Sequence, residues 1–202
     1  MGSAPGAARV DPRLQLLPPD GRARLWLLAL TLVLPVAISG LALGAALARG
    51  SFSPWLLDNV PLSVSAVIGL VLVVSLPLWL VLDRAMQRHR LLIQDGALEL
   101  HTSFYRERVG LDELQLDAAR VVDVHEHTGY KPRLKTNGFA LPGFQSGWFR
   151  LRNRHKALVA GVGQRRALWL PTTRGHGLWL QVRQPQALLD ALKDMAQPRR
   201  AR

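Results

Sequence analysis

The sequence contains no cysteine. Disulfides, thiolate metal sites and a cysteine nucleophile are therefore excluded. A reducing compartment fits that absence without following from it. Acidic residues are also scarce, with 14 Asp and Glu against 26 Lys and Arg and a formal net charge of +12. From Asp83 onward there are 21 Lys/Arg and 11 Asp/Glu, so +10 of the surplus lies in that part. Such a balance favours anionic partners: lipid headgroups, acidic proteins or nucleic acid. Also missing are the G-x-S-x-G, H-E-x-x-H, P-loop and paired-carboxylate patterns. Ser146 and His155 stand too isolated to suggest a nucleophile and its base. The expectation is a non-enzyme with no cofactor and no metal. His125-Glu126-His127 could bring two imidazoles to one strand face, but a third ligand has no evident source.

Charge is absent altogether from two long stretches, Leu25 to Ala48 and Asn59 to Leu82, each of 24 residues. As a helix, such a stretch is roughly 36 Å long and crosses a hydrocarbon core of about 30 Å with some tilt. Inside a bilayer the backbone must satisfy its own hydrogen bonds, so both are expected to be helical. Pro61 falls in a first turn, and Pro35 and Pro77 are expected to kink their helices. A cleaved signal peptide is the rival reading of the first stretch. Ala45-Ala46-Leu47-Ala48 would suit a peptidase, but 24 residues exceed an ordinary signal core of 7–15. The Met-Gly start lacks Ser or Thr where myristoylation wants it, since Gly6 stands there.

Arginines flank the pair on one side. Arg9, Arg13, Arg22 and Arg24 precede the first stretch, Arg84, Arg88 and Arg90 follow the second, and the connection holds only Arg49. The positive-inside rule then puts both termini in the cytoplasm. Trp26 and Trp79 would sit at the inner interface and Trp55 at the outer one. Gly40, Gly44 and Ala48 form a small-residue row that lets helices approach closely, either the second helix of the same chain or a second copy. Neither span carries a charge, so nothing suggests an ion path.

After Arg90 the pattern changes to short runs. Leu91–Ile93 and Ala97–His101 flank Asp95-Gly96 as a hairpin. Further strand-like runs are 107–109, 120–125, 148–152, 156–162, 167–171 and 178–182. Residues 125–147, with Pro132, Pro142 and four glycines, read mostly as loop, with Asn137-Gly138 and Pro142-Gly143 as turns. Trp148, Phe149, Trp169 and Trp179 read as core. Gln184-Pro185 opens an amphipathic helix through Ala187, Leu188, Leu189, Ala191, Leu192 and Met195, which Pro198 stops. The expected architecture is a transmembrane hairpin followed by a mainly β barrel of about seven antiparallel strands, capped by a C-terminal α-helix.

Thr136-Asn137-Gly138, Leu141-Pro142-Gly143-Phe144, Gly147-Trp148-Phe149-Arg150-Leu151, Ala157-Leu158-Val159, Trp169-Leu170-Pro171-Thr172 and the closing helix together resemble the bacterial pleckstrin-homology-like (PH-like) membrane proteins. The resemblance covers roughly residues 91–195 and implies a PH-type barrel capped by a helix. It implies little about activity, because function resides in sites and not in folds.

The resulting segments are a flexible tail (1–24), a first span (25–48), an external loop (49–58), a second span (59–82), a cytoplasmic PH-like domain (83–197) and a disordered basic tail (198–202). Candidate contact residues for an anionic ligand or partner are Lys131, Arg133 and Lys135; Arg150, Arg152, Arg154 and Lys156; and Arg165 with Arg166. The leading expectation is a scaffold that binds a protein partner or assembles with itself. An anionic-lipid sensor is the alternative. Nucleic acid ranks third, because RRM and KH signatures are absent.

Overall fold

The computed structural model describes residues 14–51, 53 and 59–196. Trp55, most of the connecting loop, the first thirteen residues and Pro198 with the basic tail lie outside the described residues. The chain divides into two compact units, Gly21–Ala85 and a unit formed by Met86–Arg202 with Met1–Asp20.

The first unit holds α1 (Gly21–Ala48), and α2 (Val60–Met86) makes up its second helix. Both helices are long and apolar enough to cross a membrane, and both begin or end a few residues beyond the charge-free stretches. Only 6% of the most apolar window of each is buried in the chain, unlike the core helix of a soluble protein. Within α1, Ala29–Val33 widens into a π-helical turn just before Pro35. Proline has no N–H to donate to the carbonyl one turn back, so the ladder loosens there and does not break. The Thr31 hydroxyl adds a bond to the Leu27 carbonyl at 2.7 Å. Asn59 caps α2, its side-chain oxygen accepting from the Leu62 N–H at 3.1 Å. Arg24 Nε and Nη2 donate to the two oxygens of Asp83 at 2.7 and 3.0 Å. This fork joins the start of one helix to the end of the other, as an antiparallel hairpin requires.

The second unit carries nine strands among the described residues, more than the expected seven. They are β1 (His89–Gln94), β2 (Ala97–Thr102), β3 (Tyr105–Gly110), β4 (Arg120–Asp123), β5 (Pro132–Leu141), β6 (Phe144–Leu151), β7 (Lys156–Gly161), β8 (Arg166–Pro171) and β9 (Gly177–Leu180), followed by α3 (Pro185–Ala196). They form two sheets, β1-β2-β3 and β4-β8-β9-β7-β6-β5, and neither closes on itself. The expectation of uniformly antiparallel strands also fails, because β9 inserts between β8 and β7 and runs parallel to β7.

The stretch read as loop is largely sheet. β5 occupies Pro132–Leu141, and Asn137-Gly138 lies inside it next to a register shift instead of forming a turn. Pro142-Gly143 does turn the chain, with Gly143 at φ 82°. Proline and glycine misled the sequence reading because β5 is an edge strand, where a missing donor or a bulge is tolerated. The tail reading also needs correction near its end. Leu16 is buried and bridges Val182, Leu17 N–H donates to the Gln181 carbonyl, and the Gln15 amide reaches the Leu91 carbonyl.

Both faces of the six-stranded sheet are buried at its central strands β7, β8 and β9. Leu158, Ala160, Leu168, Leu170, Leu178 and Leu180 point to one core, which they share with β1–β3 and with Leu188, Leu189 and Leu192 of α3. Their alternate neighbours Ala157, Val159, Ala167, Trp169 and Trp179 point to a second core with Phe149 and Leu151. Strands buried on both sides read as continuous apolar runs, which is why β7–β9 show no alternation in sequence. Val124 and Tyr130, from the β4–β5 connection, pack against the second core. Phe149, Trp169 and Trp179 are thus core, while Trp148 is half-buried against the first core.

Candidate functional site

Several carboxylates of the β domain are already bound by its own arginines and do not neutralise the remaining cations. Glu99, Glu107, Glu113, Asp123 and Glu126 are all engaged. Arg106 and Arg108 hold Glu99 at 3.2 and 3.5 Å. Arg174 forks onto Glu113 and reaches Glu107 at 3.3 Å. Arg165 holds Asp123 at 2.5 Å and Glu126 at 3.0 Å. The effects on acidity agree. Burial alone would raise Glu99, but hydrogen bonds from Arg106 and His101 and the nearby guanidiniums bring it below its ordinary range. Glu113 is lowered by Arg174 and by the Gly110 N–H. Arg165, a candidate contact residue in the sequence reading, is thereby committed to an intramolecular network.

The remaining candidates lie elsewhere. Strand register places Leu134 opposite Arg150, and Arg150 opposite Lys156. Arg152 and Arg154 fall in the β6–β7 turn, so the four alternating cations do not share one strand face. Arg154 is held at φ 69°, and the Asn153 side chain accepts from the His155 N–H. Arg133, Leu134, Arg150, Leu151, Arg152 and Arg154 line one open depression of about 340 Å³. Leu134 is 59% exposed among these arginines. Among the described residues none of Arg133, Arg150, Arg152, Arg154 and Lys156 is ion-paired. Lys156 lies 4.6 Å over the Trp148 ring, whose other neighbour is the edge of His176 at 5.0 Å.

Other candidates disperse. Lys135 is exposed on β5, where a cation also discourages edge-to-edge pairing. Lys131 accepts the Arg152 N–H through its carbonyl, and its side chain lines a separate cavity. Arg166 is exposed at the start of β8. His125 and Glu126 donate backbone N–H groups to Asp123, and no group of three metal-ligating side chains exists among the described residues. Ser146 is fully buried and shares a 2.9 Å hydrogen bond with Thr102, which lies 3.4 Å from the His89 ring. Burial pushes His89 down to about 4, so the ring is neutral at physiological pH. This chain of groups ties the two sheets together.

Gly40 and Gly44 have no atom within 4 Å of where a Cβ would stand. With Ala48 they are exposed, whereas the half-buried positions in the same half of α1 include Pro35, Val36, Ser39, Leu43 and Ala46. The row therefore does not pack closely on α2 of the same chain. The sequence reading located the basic residues but missed the exposed Leu134, since an isolated leucine in a presumed loop carries no signal.

No family model, no curated protein and no solved structure matches this chain. The two apolar helices support membrane association, and the rest of the chain is a mostly β region with a C-terminal helix.

Proposed function

We propose that this is a non-enzymatic, two-span protein of the bacterial inner membrane, with both termini cytoplasmic, whose β domain engages anionic lipid headgroups. The observation that carries the reading is the depression of unpaired arginines around exposed Leu134. Cations without carboxylate partners attract a negative leaflet at about 1 kcal/mol each, and an aliphatic side chain among them can enter the headgroup region. The arginines at the outer flanks of the two helices support the orientation. The two-faced sheet with α3 packed on it supports a PH-like relationship, which we include in the proposal.

Because the chain has no cysteine, Leu134→Cys supplies a single labelling site. In nanodiscs, an environment-sensitive dye there is expected to shift to the blue with anionic lipid and to revert in high salt. Arg150→Glu with Arg152→Glu should abolish the shift. Emission indifferent to lipid charge would refute the lipid reading and return the surface to an acidic protein partner.

A second reading, self-assembly as a membrane scaffold, is favoured by the open Gly40–Gly44–Ala48 row. Energy transfer between labelled copies in liposomes should then be lost in Gly44→Ile, because a large side chain blocks close helix approach. Unchanged transfer would remove this reading.

A further inference from the structure

A second concavity, of about 230 Å³, lies where the β5–β6 turn, the ends of β7 and β9 and the segment after β4 meet. Its apolar lining comes from Val124, Pro132, Leu141, Phe144 and the Trp179 ring. The ring lies directly on the Gly161 backbone, where a Cβ would stand 2.8 Å from Cζ3. Trp179 is 2% exposed, and its indole N–H has no hydrogen-bond partner. A buried donor without an acceptor is unusual in a folded core.

The other polar lining holds one cation and no carboxylate. Gln181 is fully engaged, accepting from the Val162 and Gln164 N–H groups at 2.6 and 3.1 Å and donating to the Gln164 carbonyl. The side chains of Lys131, His125, Gln145 and Gln164 make no hydrogen bond or ion pair among the described residues, and no carboxylate lines the cavity. An apolar wall with a few converging polar groups is the ordinary make-up of a small-molecule site. Here those groups comprise the Lys131 cation, the His125 ring and two free amides.

We propose that this cavity binds a small organic carboxylate, its body against Trp179, Phe144 and Leu141 and its anionic group served by Lys131. Inorganic anions would leave the apolar wall wet. Neutral apolar molecules would gain nothing from the Lys131 charge. The volume falls below the roughly 300 Å³ at which pockets begin to hold drug-sized ligands, so the ligand is small. The proposal does not rest on the lipid reading, because Leu134, Arg150 and Arg152 line the other depression.

The test uses the full-length protein in detergent micelles, grown with 5-fluorotryptophan and titrated with butyrate, benzoate and phenylacetate. Trp179→Phe assigns the resonance of Trp179. At least one carboxylate is expected to shift that resonance saturably while those of Trp26 and Trp79 stay in place. Phenylacetamide, the uncharged counterpart of phenylacetate, should bind at least about tenfold more weakly. Lys131→Gln should weaken the carboxylate about tenfold and leave phenylacetamide unchanged. No saturable shift with any of the three acids across the millimolar range would overturn the proposal. Equal affinity for phenylacetate and phenylacetamide, or indifference to Lys131→Gln, would overturn it as well.

Discussion

Gly147→Ala is expected to destabilise the β domain by about 4 kcal/mol, combining overpacking with a backbone that L residues resist. Gly147 adopts φ 116°, and a Cβ there would stand 2.6 Å from Gly138 Cα, 2.7 Å from the Asn137 oxygen and 2.8 Å from Tyr105 Cε2. Two of these neighbours are backbone and cannot step aside. The third is a ring held in place by a 2.8 Å hydrogen bond from Tyr105 Oη to the Asn137 side chain. Gly138 and Gly147 face each other across β5 and β6, so Tyr105 of the smaller sheet can lie against bare backbone of the larger one. Gly143→Ala is the control. Gly143 also has positive φ, at 82°, but nothing lies within 4 Å of its Cβ position, so the cost should be only about 1 kcal/mol. Denaturant titration of the full-length protein in micelles, followed by amide exchange in β6, measures both. Equal losses in the two variants would mean that the close approach of the sheets contributes nothing.

That glycine pair also shows where sequence reading reached its limit. The sequence marked Asn137-Gly138 as turn formers, because positive φ is the commonest reason for glycine beside asparagine. The actual reason is the close approach of β6. A Cβ on Gly138 would stand 2.6 Å from the Ser146 oxygen and 3.1 Å from Gly147 Cα, and no local pattern encodes that approach. The apolar helices were legible because 24 residues without charge admit few other structures. The C-terminal helix was legible through its 3.6-residue period, and β1 and β2 through the Asp95-Gly96 turn between them. Strand pairing was not. A parallel β7–β9 contact depends on β9 inserting between two earlier strands, and each of these strands is apolar on both faces. The packed segment around Leu16 escaped notice because its partner, Val182, lies at the far end of the sequence.

The candidate site was legible in part for a related reason. Composition shows a surplus of cations but not which of them have partners. Arg165 and Arg150 look alike in sequence, yet Arg165 faces Asp123 and Glu126 while Arg150 faces Leu134 and Lys156. Pairing between β4, its following turn and the start of β8 commits the first, and a hairpin without acids leaves the second unpaired. The same contrast explains why the proposed contact surface is smaller than the nine residues sequence alone nominates.

Arg24→Ala is expected to weaken the helical hairpin by about 3 kcal/mol, and Asp83→Asn by only about 1 kcal/mol. The asymmetry comes from exposure. The Asp83 side chain is 8% exposed and that of Arg24 47%. Removing the guanidinium takes from the buried Asp83 carboxylate the two charge-assisted hydrogen bonds of the fork, and part of its desolvation is then no longer offset. Replacing the carboxylate by an amide leaves a half-exposed guanidinium that can still reach water or a headgroup phosphate, and the amide oxygen can still accept a hydrogen bond. Arg24→Leu combined with Asp83→Leu should therefore lose less than Arg24→Ala alone, since neither charge remains to be solvated. A double-mutant cycle read by thermal unfolding of the full-length protein in micelles gives the coupling directly. If the two single losses were equal and additive, the fork between Arg24 and Asp83 would not be what fixes the hairpin at this end. If Arg24→Ala were the costlier and the double variant recovered stability, the pair would act mainly to make one antiparallel register of α1 and α2 more favourable than its neighbours. That is the role a single charge pair with one buried member performs best in an otherwise apolar helix pair.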